Sequence, residues 1–271
     1  MSGQAKAPPA EANPPLKPKV LTLRGLMAAP AFLPLLTLVL LVVAWQVIVA
    51  AFNVPAYLVP SPVAVWKASI DNWAIIMENA WVTTVEALVG FFLSAIIGVA
   101  IAIGISAWPL ASRALYPLVV SSQVVPKVAI APLVALWIGA GVRTSALIAF
   151  VMAFFPVVVN ATQGLNSADI ESIYLIRSMG GSRWTVFRYL RIPGALPFIW
   201  AGLQLAMAFA VVGAVVGEFV GASAGIGYLL IIAEGNLRSD ILFAAIVVVT
   251  VIGLLLYYAV EWIARLTMKW N

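Results

Sequence analysis

The sequence predicts an all-α integral membrane protein with about six transmembrane helices and both termini in the cytoplasm. Of its 271 residues, 64% are hydrophobic and 9% are charged, and the mean hydropathy is +1.09. A soluble domain carries roughly 25% charged residues, so this chain lacks the polar surface that water requires on all sides. Six apolar segments, each near or above the roughly 20 residues that span a bilayer as a helix, follow one another along the chain.

The six segments divide the chain. We place them at Ala28–Ala51, Val82–Trp108, Leu115–Gly139, Thr144–Thr162, Ala195–Val220 and Ile241–Ala264. In lipid every backbone polar group needs an internal partner, so helices are expected. The domains follow as a disordered cytoplasmic tail (1–25), a first transmembrane helix with an external amphipathic segment (26–75), a main membrane domain (76–265) and a cytoplasmic C-terminus (266–271).

The third segment is the least regular of the six. It contains Pro117, Pro126 and Pro132, and a proline inside a helix removes a hydrogen bond and clashes with the preceding turn. We therefore expect a kinked or interrupted span. Such interruptions are tolerated where the backbone is buried in protein or lines a cavity.

Lys and Arg residues set the orientation. With the N-terminus inside, eleven of them are cytoplasmic: Lys6, Lys17, Lys19, Arg24, Arg113, Arg177, Arg183, Arg188, Arg191, Arg265 and Lys269. Three are external, namely Lys67, Arg143 and Arg238, and Lys127 falls within a span. Because cytoplasmic loops of membrane proteins carry the excess of basic residues, both termini are predicted to be cytoplasmic.

Composition also excludes several kinds of chemistry. The chain has no His and no Cys, which removes the commonest metal ligand, histidine acid–base catalysis and thiol chemistry. It has no G-x-x-x-x-G-K-[ST] phosphate-binding loop, so it does not bind ATP in that manner. We predict no catalytic residues, no metal site and no nucleic-acid partner.

Two connections between spans are long. The external one, Phe52–Trp81, contains the stretch Val63–Glu78 with apolar residues at helical spacing, which is typical of an amphipathic helix on the membrane surface. The cytoplasmic one, Gln163–Gly194, contains the most informative residues of the chain.

The cytoplasmic connection is predicted to form two short helices. Asn166 or Ser167 is a candidate cap for the first, and Gly180-Gly181 provides its left-handed stop. Ser182 caps the second helix, and Pro193 fits the start of the next span. The residue types alone leave two interpretations open: a basic segment that lies on anionic lipid headgroups, or a surface on which another protein docks.

A set of ordered motifs resembles one family. Gly180 followed by Leu190-x-Ile192-Pro193 matches the cytoplasmic-loop signature (E-A-A, three residues, G, nine residues, I-x-L-P) of binding-protein-dependent ABC transporter permeases. The remaining matches, which resemble the nitrate/sulfonate/taurine subfamily, are Pro60-Ser61-Pro62, Gly90-Phe91, Pro126–Ala129, Ala131–Leu133, Met179–Trp184, Gly194–Pro197, Gly202-Leu203, Gly217–Phe219 and Gly225–Tyr228. The resemblance covers roughly residues 55–265.

The resemblance implies the type I ABC importer permease architecture, with 76–265 as the ABC transmembrane type-1 domain and coupling helices at 164–193. It implies an ATPase-coupling interface at Tyr174, Arg177, Gly180, Gly181, Ser182, Arg183, Trp184, Phe187, Arg188 and Pro193. The chain departs from the pattern where E-A-A falls on Tyr174-Leu175-Ile176, so the family's acidic residue is missing and Glu171 lies one turn earlier. This leaves any particular salt bridge to the partner in doubt.

The same resemblance implies the partners. These are two ATP-binding subunits that hold ATP and Mg, a second permease copy in a homodimer, an extracytoplasmic solute-binding protein and the bacterial inner membrane. This chain itself would bind no cofactor and would not be an enzyme. The solutes of such relatives include nitrate, sulfonates, taurine, thiamine-pyrimidine precursors and riboflavin. Glu86 together with the stretch Pro126–Leu133 favours the precursor or vitamin branch.

Polar residues within the spans are candidates for the translocation path, and we select Gln123, Gln204 and Glu218. Ionisable groups at this depth are costly and usually face a cavity or a partner. For Glu218 a structural hydrogen bond is the favoured alternative, and for Lys127 a structural role. A rival function is a self-sufficient secondary transporter or channel that uses Glu86 and Glu218 to carry protons, although no inverted repeat supports it.

Overall fold

The computed structural model describes residues 32–268, so the predicted tail 1–25 lies outside the described residues. All regular elements of this part of the chain are helical. They are α1 (Phe32–Ala51), α2 (Pro62–Asp71), α3 (Trp73–Ala107), α4 (Pro109–Ser121), α5 (Ala131–Ile138), α6 (Val142–Asn166), α7 (Ile170–Ser178), α8 (Arg183–Val186), α9 (Ile192–Glu218), α10 (Ile226–Gly235) and α11 (Ser239–Thr267).

The prediction of about six membrane spans is confirmed. Within the described residues, α1, α3, α6, α11 and the continuous helix Arg183–Glu218 are long and apolar enough to cross a bilayer. Two further helical pieces, Leu110–Val124 and Lys127–Ile138, meet at an angle of 85° and, counted as one broken span, make the sixth. The break falls at Pro126, as the proline pattern predicted, because Pro126 has no N–H to continue the helix.

The external segment differs from the prediction in its extent. Ser61 caps α2 by accepting a hydrogen bond from the backbone N–H of Ala64 (3.2 Å), but α2 ends at Asp71 and the membrane helix α3 begins at Trp73. The prediction of a single amphipathic helix over Val63–Glu78 is therefore wrong. Asn72 breaks the helix, with φ −113° and ψ 22°, while its side chain donates to the carbonyl of Ala68 (2.9 Å).

Helices α3, α6 and α9 form the core of the bundle, and small side chains allow their close approach. On α6 the fully buried residues recur every fourth position: Ser145, Ala149, Ala153, Val157 and Ala161. A Cβ added to Gly213 of α9 would meet the Ala149 backbone, and one added to Gly217 would meet the Ser145 backbone. This is the small-residue packing by which membrane helices associate.

Candidate functional site

The cytoplasmic connection folds into two helices joined by a glycine corner. Asp169 caps α7, and its carboxylate accepts a hydrogen bond from the backbone N–H of Ser172 (3.0 Å). This bond holds the pKa of Asp169 below its usual value. The predicted caps, Asn166 and Ser167, were wrong because both lie at the end of α6, which is longer than expected.

Gly180 supplies the predicted left-handed stop. Its φ is +84°, a conformation that costs other L-residues roughly 1–2 kcal/mol. The N–H groups of Gly180 and Gly181 donate to the carbonyls of Arg177 (3.0 Å) and Ile176 (2.9 Å), which closes the end of α7. Ser182 then caps α8 in a reciprocal pair of hydrogen bonds with Thr185, as predicted.

The second short helix is not separate from the membrane. Helix α8 passes through one π-helical turn, Phe187–Arg191, directly into α9, so Arg183–Glu218 is one continuous helix of 36 residues. At 1.5 Å per residue it is about 54 Å long. We call it the long helix. It joins the glycine corner in the cytoplasm to the external end of the bundle.

The ten residues of the implied coupling interface lie along α7, the glycine corner, α8, the π-helical turn and the first turn of α9. Tyr174 and Trp184 are 67% and 63% exposed, and the rings of Trp184 and Phe187 stack at 5.7 Å. Arg177, Arg183 and Arg188 are exposed as well. The segment therefore presents aromatic and cationic side chains, the residue types that are enriched where proteins bind one another.

A buried carboxyl pair occupies the external end of the long helix. Glu86 of α3 and Glu218 of α9 are both 0% exposed. Glu218 accepts a hydrogen bond from the Thr83 hydroxyl (2.7 Å) and another from the backbone N–H of Gly227. This supports the structural alternative for Glu218, while its role in the path stays a prediction.

These contacts fix the start of α10 against α3. The N–H of Gly225 donates to the side-chain oxygen of Asn79 (2.8 Å), and the N–H of Ile226 donates to the Thr83 hydroxyl oxygen (2.8 Å). Three N–H groups at a helix N-terminus, which have no partner within their own helix, thus find acceptors on α3 and α9. The positive end of the helix dipole also stabilises a carboxylate at this position.

Glu86 differs from Glu218 in its hydrogen-bond partners. It lies beside Glu218 and near Ser145, yet neither of its carboxyl oxygens has a hydrogen-bond partner in the described part of the chain. Unpartnered buried polar groups are rare, and each costs stability.

The other path candidates do not meet Glu218. Gln123 is exposed at the break between α4 and α5, and Lys127 donates to its carbonyl (3.2 Å). Both line a cavity of about 230 Å³ with Met152, Pro156 and Phe209. The ammonium of Lys127 also lies 5.0 Å from the centre of the Phe155 ring. Gln204 is half-buried on α9 and is not among the residues that line this cavity.

Two residues that hold the start of α10 against α3, Asn79 and Thr83, were not selected from the sequence. Asn79 and Thr83 precede Glu86 by seven and three residues on α3, so all three share one helical face. The spacing of these three polar side chains could have identified Asn79 and Thr83 from the sequence. The predicted span begins at Val82 and therefore leaves out Asn79.

Fold and site together define a multi-pass membrane protein in which a cytoplasmic two-helix surface connects rigidly to the external end of a helix bundle. The model of the family described as "Binding-protein-dependent transport system inner membrane component" matches residues 94–269. The chain therefore belongs to this family of ABC transporter permeases, and it is a multi-pass protein of the inner membrane.

Three relatives agree with this assignment. A protein of Haemophilus influenzae, named as an ABC transporter permease protein, is 34% identical over 85% of this chain and 94% of its own length. The riboflavin transport system permease protein RibX of Chloroflexus aurantiacus is 34% identical over 87% and 88%. The formylaminopyrimidine transport permease protein ThiX of Halalkalibacterium halodurans is 30% identical over 88% and 95%.

A solved structure shows the same fold. It is described as an inward-facing conformation of the MetNI methionine ABC transporter, and the match has a TM-score of 0.62 with 17% sequence identity. It covers 73% of this chain and 98% of that one. The predicted fold class, a type I ABC importer permease, is therefore confirmed.

Proposed function

We propose that this permease forms half of the pore of an ABC importer and that residues 164–193 couple it to a separate ATPase. The observation that carries the proposal is the continuity of the long helix from the glycine corner to Glu218. A displacement applied at α8 reaches the external end of the bundle through one rigid element. Closure of an ATP-binding partner against the corner would therefore bias the packing between two arrangements.

The assembly that follows from this proposal contains two copies of the chain, two ATP-binding subunits that hold ATP and Mg, and an external solute-binding protein. The ten residues of the implied coupling interface dock into the ATPase. Glu171 is exposed in the first turn of α7 and supplies the carboxylate that is missing at Tyr174. The path candidate Gln123 lines the break in the third span beside Lys127, and this is where solute would pass.

The experiment compares glycine variants in the transporter reconstituted with its ATPase and binding protein. Gly180→Pro removes the N–H that bonds to Arg177 and forbids the φ of +84°, so we expect solute-stimulated ATP hydrolysis and transport to fall at least tenfold. Gly180→Ala should give an intermediate loss.

Gly194→Ala is the matched control, because a Cβ at Gly194 meets no other atom within 4 Å and the residue lies in an ordinary helix. All three variants should insert into the membrane at the wild-type level. Undiminished transport by Gly180→Pro, or transport without ATP and without an ATPase, would refute the coupling role. The second of these results would favour the secondary-transporter alternative.

For the solute we propose a small heteroaromatic vitamin or pyrimidine precursor. Support comes from relatives named for riboflavin and formylaminopyrimidine transport at 34% and 30% identity. Thermal-shift screening of the cognate binding protein with riboflavin, a formylaminopyrimidine, taurine and nitrate tests this choice. Stabilisation by taurine or nitrate alone would overturn the proposed solute class and leave the importer function intact.

A further inference from the structure

A cavity of about 500 Å³ lies between the cytoplasmic end of α3 and the two short helices, and its wall includes Arg177, Arg183, Trp184 and Phe187 of the implied coupling interface. The α3 side contributes Ile103, Ser106 and Ala107, and the other side contributes α7, α8 and the π-helical turn. Three of its lining residues are arginines: Arg177, Arg183 and Arg191. We call it the arginine cavity.

Among residues 32–268 no carboxylate forms a salt bridge with the arginines of this cavity. In the described part of the chain the salt bridges join Arg238 to Asp240 and Arg265 to Glu261, so none of the three cavity arginines is paired with a carboxylate. Arg191 donates one long hydrogen bond to the carbonyl of Ser106 (3.4 Å), at the end of α3. That contact offsets the negative end of the α3 dipole and leaves Arg177 and Arg183 available to an anion.

A buried hydroxyl gives a second, independent sign of a ligand. Ser106 lines the cavity and is 5% exposed, and its side-chain oxygen has no hydrogen-bond partner among the described residues. A buried hydroxyl without a partner costs stability, so an acceptor at this position would repay it. Phosphate oxygens are strong acceptors for both hydroxyl and guanidinium groups.

The rest of the cavity wall is apolar. Ile103, Val186 and Phe187 line it beside the arginines. A free inorganic anion would gain nothing from these side chains, whereas a lipid carries a phosphate and an acyl chain on the same molecule. The cavity also lies at the cytoplasmic end of a membrane span, where anionic headgroups are found and where basic pockets between helices bind them.

We propose that the arginine cavity binds an anionic phospholipid of the cytoplasmic leaflet. Its phosphate accepts hydrogen bonds from Arg177, Arg183 and Ser106, and its acyl chain lies along Ile103 and Phe187. The lipid bridges α3 to the coupling segment and contacts Arg177, Arg183 and Phe187, which also belong to the implied coupling interface. Binding therefore gives the coupling segment a lipid dependence that docking of a protein partner does not supply.

Native mass spectrometry of the full-length chain in detergent tests this site. The wild type should retain phosphatidylglycerol at least tenfold better than phosphatidylcholine of the same chain length. Arg177→Gln combined with Arg183→Gln should remove that preference. Arg188→Gln is the matched control, since it removes the same charge from the same segment but Arg188 does not line the cavity. Loss of the preference in Arg188→Gln as well would overturn a specific site.

Two further measurements, one on a Ser106 variant and one with inorganic phosphate as a competitor, complete the test. Ser106→Ala keeps all three arginines and should weaken phosphatidylglycerol retention severalfold, without a change in the thermal unfolding midpoint that would signal misfolding. Inorganic phosphate at millimolar concentration should not displace the lipid. If phosphate displaces it completely, or if Ser106→Ala retains it fully, the lipid assignment is wrong. None of these outcomes depends on ATP or on the ATPase.

Discussion

The two ends of the long helix differ in burial, in charge and in the kind of hydrogen bond that holds them. At the external end Glu218 is fully buried and bonds to two other helices, to Thr83 of α3, 135 residues away in the chain, and to Gly227 of α10. At the cytoplasmic end the helix is exposed, basic and held mainly by local hydrogen bonds, such as the pair between Ser182 and Thr185. The external end is thus held in a fixed arrangement, and the cytoplasmic end presents a surface that a protein partner can contact.

The difference also shows how the chain can transmit a movement. A helix that was loose at both ends would absorb a push from a partner. Here the cytoplasmic end is free to be pushed, while the external end carries α3 and α10 with it through Asn79, Thr83 and Glu218. We therefore expect substitutions at the external end to change stability most, and substitutions at the cytoplasmic end to change coupling with little change in stability.

The largest effect is expected for Gly225→Ala. Gly225 has φ +109°, and a Cβ there would overlap the Glu218 carboxyl group. The backbone strain alone costs roughly 1–2 kcal/mol, and the overlap displaces the acceptor that holds α10. The thermal unfolding midpoint in detergent, followed by tryptophan fluorescence, should fall strongly.

Gly235→Ala is the control for Gly225→Ala. It lies at the other end of the same helix, where a Cβ meets nothing within 4 Å. A similar loss of stability in both variants would mean that α10 is sensitive to alanine in general, and the special status of the external end would be lost.

A smaller but clear effect is expected for Glu218→Ala. The substitution leaves the Gly227 N–H without its acceptor, and an unsatisfied buried group costs about 1–3 kcal/mol. The Thr83 hydroxyl loses its shorter hydrogen bond and keeps only the one to the carbonyl of Asn79 (3.2 Å). Glu218→Gln retains one acceptor oxygen and should lose about half as much. Thermal unfolding measures both, and equal stability of Glu218→Ala and wild type would contradict the anchoring role.

Glu86→Gln should change the stability of the protein in the opposite direction. Glu86 lies beside a second carboxyl group, and neither of its oxygens has a partner among the described residues. The amide of glutamine offers two donors to Glu218 without requiring the two carboxyl groups to share a proton, so we expect the unfolding midpoint to stay equal or rise. A loss as large as that of Glu218→Ala would show that the two carboxyl groups are equivalent, against the comparison made above.

Much of the fold is predictable because it rests on local patterns. Apolar length located the spans, proline located the break at Pro126, and glycine with serine located the corner at Gly180 and Ser182. The continuity of α8 with α9 was not predictable, because Pro193 is typical of a helix start. A π-helical turn at Phe187–Arg191 tolerates it, since the turn already departs from the regular hydrogen-bond pattern that a proline interrupts.

The carboxyl pair shows where prediction from sequence stops. Thr83 and Glu218 are 135 residues apart, and no local pattern states that they meet. The start of α3 was misplaced for a related reason. Asn79 reads as a polar loop residue, yet the structure buries it, and its side chain both donates to the carbonyl of Ile75 (2.7 Å) and accepts from Gly225. Tertiary contacts thus override the polarity of the residue.

The smallest effect is expected at the cytoplasmic cap Asp169. The hydrogen bond from Ser172 lowers the pKa of Asp169 in the folded protein below its unfolded value of about 3.9. The stabilisation is therefore present above the unfolded pKa and is lost as the pH falls through the folded pKa. Amide exchange in the first turn of α7 should rise in Asp169→Ala at neutral pH, while the global unfolding midpoint stays unchanged because the cap is exposed and local. Asp169→Asn keeps an acceptor for the Ser172 N–H and should restore protection without the pH dependence. A global shift in Asp169→Ala would place the cytoplasmic segment in the same cooperative unit as the external end, and the two ends of the long helix would no longer be distinct.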